Sequence, residues 1–241
     1  WPRAQIAPSE PTATERHPAG WRSEWLLAPL LLLVLLISVA TFGNVAAYIR
    51  GDWPTMFVPP YAFLGEQLRV LAIPGWNPYQ FSGVPFAADP SSGWMYLPAM
   101  AIYAMLPAFP ATTVFIAFHL LLSGVAAYTL ARLTGLLPLA AFISGLAFVL
   151  PWAVPAAASA VLMLQVTTWL PIALIGVEVT RAAARRWQQL GGIALSGFAI
   201  SQILAAWLGQ AAYYSLLVIG GWVAWRTLVP PPPGWTWRAR L

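Results

Sequence analysis

Between Trp25 and Tyr48 the chain runs for 24 residues without a charged side chain. As a helix this stretch would extend roughly 36 Å at about 1.5 Å per residue, enough for a hydrocarbon core of about 30 Å. It reads as a spanning helix with some tilt. A secretory signal peptide does not fit, because the apolar run is too long and no small-residue cleavage site followed by a soluble domain comes after it. The rest of the chain agrees. It is 60% hydrophobic and 8% charged, with a mean hydropathy of +0.71, well outside soluble usage. An all-α integral membrane protein is expected.

Further apolar segments recur at 110–132, 137–155, 159–180, 190–208 and 211–229, which with 25–48 makes about six transmembrane helices. Met95 to Pro107 is also apolar but has only 13 residues and contains Pro98, so an interfacial or re-entrant piece is expected there. Residues 1–24 mix Pro, Ser, Thr, Glu and Arg without periodicity and read as a flexible cytoplasmic tail. Residues 230–241 form a Pro- and Arg-rich cytoplasmic end that reads as continuing into a longer protein, as does a start at Trp1.

All twelve basic residues are Arg. They flank apolar spans instead of forming a basic face with exposed aromatics, which argues against nucleic acid. Six spans with the N-terminus inside put ten Arg in the cytoplasm and leave only Arg50 and Arg69 outside. A seven-span map gives nine against three, and the shortness of Met95 to Pro107 decides for six. The bacterial cytoplasmic membrane is the expected location. Cysteine is absent, which excludes disulfides, thiolate metal sites and haem attachment through Cys; two His do not suffice for a protein-built zinc site.

The loop 49–94 then lies outside the cytoplasm. It is dense in Trp, Tyr, Phe, Pro and Gly and holds three of the seven acids, Asp52, Glu66 and Asp89. Phe57, Tyr61, Leu64, Leu68 and Leu71 recur at helical spacing, marking an amphipathic helix on the outer membrane surface, its stripe in lipid or on neighbouring helices; Ile73-Pro74-Gly75 ends it. Asp52, one residue past the expected boundary, is placed to take a proton from an acceptor hydroxyl while a lipid-borne donor lies in the bilayer, or simply to cap a helix near Pro54. The run from Gly75 to Phe86 offers Trp76, Asn77, Tyr79 and Gln80 as a surface for a sugar ring, although Trp and Tyr also serve as interfacial anchors. Asp89 is a second acid or an Asx-turn residue. Within the spans, Glu178 is expected to pair with Arg181, Arg185 and Arg186, and Gln165 and Gln202 to bond between helices. His119 could bond a neighbour, shuttle a proton or ligate a tetrapyrrole metal. Gln210 stands at the tight turn between the last two spans, on the side of Asp52.

In series, these features resemble the YfhO-type bacterial membrane proteins of the GT-C superfamily of integral-membrane glycosyltransferases. The resemblance rests on Asp52 after the first span, Pro59-Pro60, Pro74-Gly75-Trp76-Asn77-Pro78-Tyr79 with Phe81, Gly83, Pro85 and Phe86, and Tyr96-Leu97-Pro98. His119 with Gly124, Tyr128 and Arg132, then Trp169-Leu170-Pro171, and Gly209-Gln210 before Tyr213 and Tyr214 complete it. It covers about residues 25–229, an N-terminal portion of such proteins. It implies a GT-C-like fold and transfer of a sugar from a polyprenyl-phosphate carrier to an extracytoplasmic cell-envelope acceptor, with Asp52 in the base position. Arg69, Trp76, Asn77, Tyr79, Asp89 and Gln210 are then substrate-binding candidates. Where such proteins often have His before Pro-Gln at the last outer turn, this chain reads Trp207-Leu208-Gly209-Gln210. No acidic pair points to a metal and no cofactor is expected. Membrane lipids and the lipid-linked sugar are the expected partners. The competing reading is a non-catalytic accessory subunit of a larger respiratory or photosynthetic membrane complex, with a tetrapyrrole at His119 only in that case. A transporter ranks third, because Asp52 lies at a boundary and not near the midplane.

Overall fold

Proline and glycine punctuate this chain, and several helices begin or end at them. The structure, a computed structural model, describes residues 25–42, 53–153 and 160–229. Eight α-helices lie within them: α1 (Leu27–Phe42), α2 (Val58–Arg69), α3 (Leu97–Met105), α4 (Ala108–Leu133), α5 (Pro138–Val149), α6 (Val161–Ala182), α7 (Arg186–Ala206) and α8 (Gln210–Leu228). Prolines occupy the first turns of α2, α3 and α5, where a missing N–H costs no helical bond. At the far end of α4, Gly135 takes φ +94°, the Gly135 N–H donates to the Arg132 carbonyl and the Leu136 N–H to that of Ala131, both at 3.0 Å. That is the Schellman stop, and it needs a residue at ease in the left-handed region. No strand forms among the described residues; Asn77 and Val84 make one isolated antiparallel bridge.

Three helices are long and apolar enough to cross a membrane: α4 with 26 residues, α6 with 22 and α7 with 21. Those lengths correspond to roughly 39, 33 and 32 Å. The other apolar helices are shorter as described: 16 residues in α1, 12 in α5 and 19 in α8. The apolar run expected at 137–155 changes at Leu150-Pro151 from α-helix to a 3-10 turn. Apolar side chains cover much of the outside, among them Leu32 and Leu36 of α1, Leu190 and Ile193 of α7, and Leu217 of α8. Such a surface suits lipid better than water.

α6 is the central helix, packed by α4, α7 and α8. Its tightest partner is α7, and the reason is missing side chains: a Cβ on Gly176 would stand 2.6 Å from the Gly192 carbonyl oxygen, so the two backbones touch. Ser196 of α7 donates to the Ala173 carbonyl at 2.9 Å across the same seam. Small residues replace bulk where lipid gives helices no hydrophobic reason to associate. On the other side, α5 meets α4 at Gly145 and Gly124, and Leu30 and Val34 of α1 are buried in that angle.

Contacts between helices set a simple alternation. Glu178 near the end of α6 bonds Arg226 near the end of α8, and Leu133, Ala183 and Gln188 line one pocket of about 270 Å³ beside it. The ends of α4, α6 and α8 and the start of α7 therefore share one face of the bundle, the Arg-rich end. The segment 53–107 caps the opposite end. Tyr61 and Leu64 of α2, with Phe57 just before it, are buried on the bundle, so the expected amphipathic stripe is turned onto protein. The stripe stops short of Leu71: α2 ends at Arg69, and Leu71, at φ +55°, is 93% exposed.

Candidate functional site

The loop is held to the bundle by polar side chains, each supplied where a backbone or ring needs one. α3, only nine residues long, is tied at both ends. Its first N–H, on Leu97, donates to Gln202 of α7 at 3.0 Å, and its last turn receives the Arg69 guanidinium. Arg69 donates to the carbonyls of Tyr103 and Leu106 at 2.9 Å and of Ala104 at 3.1 Å. These carbonyls have no intrahelical partner, and a cation suits the negative end of the helix. Arg69, a candidate for substrate, is thus engaged in holding α3. α2 and α3 meet so closely at Gly65 and the Tyr103 carbonyl that a Cβ on Gly65 would overlap it.

Three buried tyrosines of the segment 53–107 make the other ties. Tyr61 donates to Gln165 Oε1 at 3.1 Å and accepts from its Nε2 at 2.8 Å. Thr112 spends its proton on the Ala108 carbonyl at 2.7 Å, so the Tyr103 hydroxyl donates to Thr112 Oγ1 at 2.8 Å. Trp169 Nε1–H donates to the Tyr96 oxygen at 2.8 Å, and Tyr96 donates in turn to His119 Nε2. Burial pushes the phenols of Tyr61 and Tyr96 upward, so both keep their protons. His119 Nδ1 faces the Phe115 carbonyl at 2.6 Å and must carry the proton there, since a carbonyl only accepts. Both ring nitrogens of His119 are therefore in use. Among the described residues no group of three His, Asp or Glu side chains converges as metal ligands would.

Beyond these ties, the face of α2 turned away from the bundle and the turn after it enclose a cleft of about 500 Å³. Pro59, Phe63 and Glu66 line it from α2, with Thr55 from the π-helical turn Trp53–Phe57 that leads into that helix. Asn77, Tyr79 and Gln80 line it from a hairpin closed by the paired main chains of Asn77 and Val84, both bonds 2.9 Å. The hairpin turns through positive φ at Phe81, Ser82 and Gly83. Gly83 is required there twice over, because at φ +114° a Cβ would also meet the Trp76 indole at 2.6 Å. Trp76 thus supports the hairpin from its flank. Asn77 is buried and its Oδ1 accepts from the Tyr79 N–H at 3.0 Å, while the Tyr79 ring lies open beside Phe63, centroids 6.2 Å apart.

Of the described residues singled out from the sequence, the structure brings Asn77, Tyr79 and Gln80 into one cleft, with the Trp76 indole against Gly83 of the same hairpin, and scatters the others. Asp89 accepts from the Ser91 N–H at 2.8 Å and hydroxyl at 2.6 Å, the Asx-turn pattern. Gln210 opens α8 and donates to Tyr214 at 2.8 Å. Asp52 lies outside the described residues, as do the tail 1–24 and the end 230–241. Glu66, Thr55 and Phe63 were not picked out as site residues. Their signal was the second face of the amphipathic helix, where Thr55, Pro59, Ala62 and Glu66 recur at spacings of four, three and four. No family model, curated protein or solved structure matches the chain.

Proposed function

We propose that the chain is a GT-C-like membrane glycosyltransferase of six spans, in which α1 and α4 to α8 cross the bacterial cytoplasmic membrane with the Arg-rich end in the cytoplasm. The donor is a polyprenyl-phosphate-linked sugar and the acceptor belongs to the cell envelope. The acceptor hydroxyl oxygen attacks C1 of the sugar, the C1–O bond to phosphate breaks, and polyprenyl phosphate departs with the electron pair. Asp52 takes the hydroxyl proton.

One observation carries this reading beyond the resemblance to YfhO-type proteins: the outer face of the docked loop holds a polar and aromatic cleft of sugar-accommodating size. Thr55, which lines it, follows Asp52 by three residues, a reach of at most about 10 Å of chain. The accessory-subunit alternative draws less support, since neither nitrogen of His119 is open to a tetrapyrrole metal. The test is transfer from a radiolabelled polyprenyl-phosphate sugar to envelope acceptor by the membrane-embedded protein. Asp52→Asn keeps size and capping ability but removes proton acceptance, so transfer should fall roughly 100- to 10,000-fold. Unchanged transfer in that variant discards the base, and absence of transfer by the wild type discards the enzyme.

A further inference from the structure

The cleft on α2 has a chemistry of its own, set by Asn77 and Glu66. Asn77 is 3% exposed. Its backbone N–H and carbonyl are both spent on Val84. The Tyr79 N–H needs an acceptor, which assigns the amide oxygen to that bond and leaves Nδ2 as the other arm. Nδ2 carries two donors and has no acceptor among the described residues. A buried amide N–H without an acceptor is costly, so a site that keeps one is built for an oxygen brought from outside.

Glu66 complements it. Its carboxylate lines the same cleft, makes no hydrogen bond or ion pair among the described residues, and can only accept. Among the described residues that line the space it is the one acidic or basic side chain. The nearest cation in sequence, Arg69, is committed to the carbonyls of Tyr103, Ala104 and Leu106. Pro59 and Phe63 give the cleft an apolar wall, and the exposed Tyr79 ring stands beside Phe63. A donor arm, an acceptor arm and an apolar wall match a ring that carries hydroxyls on its rim and C–H groups on its face. A phosphate or carboxylate would meet Glu66 with like charge and, among the described residues that line the cleft, no cation to offset it.

We propose that this cleft is a subsite for an uncharged, hydroxyl-rich sugar ring, with Asn77 Nδ2 donating to one ring oxygen substituent and Glu66 accepting from a neighbouring hydroxyl, and that it rejects anionic sugars. This rests on the glycosyltransferase reading only for its place in a reaction; as a binding site it stands apart. The phosphate of a lipid carrier is then held away from Glu66.

The test measures binding without turnover. Saturation-transfer NMR on the full chain in nanodiscs, at millimolar methyl glucoside, galactoside and mannoside, should show ring-proton signals for at least one neutral hexoside and none for methyl glucuronide. Asn77→Asp keeps the oxygen that accepts from Tyr79 but loses both donors, and should weaken the neutral sugar at least about tenfold, the worth of one good hydrogen bond. Glu66→Gln keeps shape and removes charge, and should admit the glucuronide. Three outcomes overturn the subsite: no neutral hexoside binds, neutral and anionic sugars bind the wild type alike, or Glu66→Gln leaves the discrimination intact. Selective binding with no transfer in the radiolabel assay would discard the enzyme and keep the subsite. Transfer whose KM for acceptor and donor is untouched by both variants would do the reverse.

Discussion

Arg226 of α8 meets Glu178 of α6 with both arms of its guanidinium, Nε on Oε1 at 2.7 Å and Nη2 on Oε2 at 2.5 Å. Trp222 Nε1 adds a donor at 2.8 Å and Arg181 another at 3.2 Å, so a carboxylate on a residue only 7% exposed is met by four N–H groups. The expected pairing partners were Arg181, Arg185 and Arg186. Arg181 is one, but the bidentate partner comes from a helix 48 positions away. It pins α8, whose contact with α7 is slight, to the central helix.

Arg226→Met should therefore destabilise the bundle by about 2–3 kcal/mol, because hydrogen bonds to a charged group are lost and the carboxylate is left under-compensated. Adding Glu178→Gln to that variant removes the stranded charge and should recover at least half of the loss. Thermal unfolding in detergent micelles reads both. A double variant less stable than the single one would contradict the account.

The α6–α7 seam predicts two glycine substitutions of opposite sign. Gly176→Ala pushes a methyl group against the Gly192 carbonyl and should cost about 1–3 kcal/mol. Gly197→Ala, where nothing stands within 4 Å of the new Cβ, should gain about 0.5–1 kcal/mol from helix propensity. The same melting experiment decides, and equal effects at both positions would mean that the backbones do not touch.

Tyr96 sits between Trp169 and His119 as acceptor and donor at once. Tyr96→Phe leaves the indole N–H and the imidazole Nε2 buried without partners, at about 1–3 kcal/mol for each group. Haemin added to the wild type should give no absorbance change that depends on His119. A Soret shift abolished by His119→Leu would show that the ring can release its hydrogen bonds to a metal.

With no native cysteine, the placement of the two ends can be checked by single labels. Ser82 on the hairpin and Ala184 beside the Arg-rich turn are both exposed, and as Ser82→Cys and Ala184→Cys they should react with an impermeant maleimide from opposite sides of the membrane, Ser82→Cys from outside. Labelling of both from one side would remove the orientation on which the proposed chemistry depends.

Much of the scaffold is a sum of local terms. The uncharged apolar runs, the prolines in the first turns of α2, α3 and α5, the glycine stop after α4 and the burial of Phe57, Tyr61 and Leu64 follow from propensity and transfer energy acting on neighbours along the chain. They could be read from spacing alone. Where a local pattern ran past its tertiary support it misled: the stripe continues by period to Leu71, but the helix ends where Arg69 turns to the carbonyls of α3. Pairings over distance had no local signal. Nothing in the sequence around Tyr61 names Gln165, which lies 104 positions on, and nothing around Glu66 names Asn77. Those meetings were decided by how the loop docks, since a buried donor takes whatever acceptor the packing brings within reach and the chain's local chemistry does not specify which one that will be.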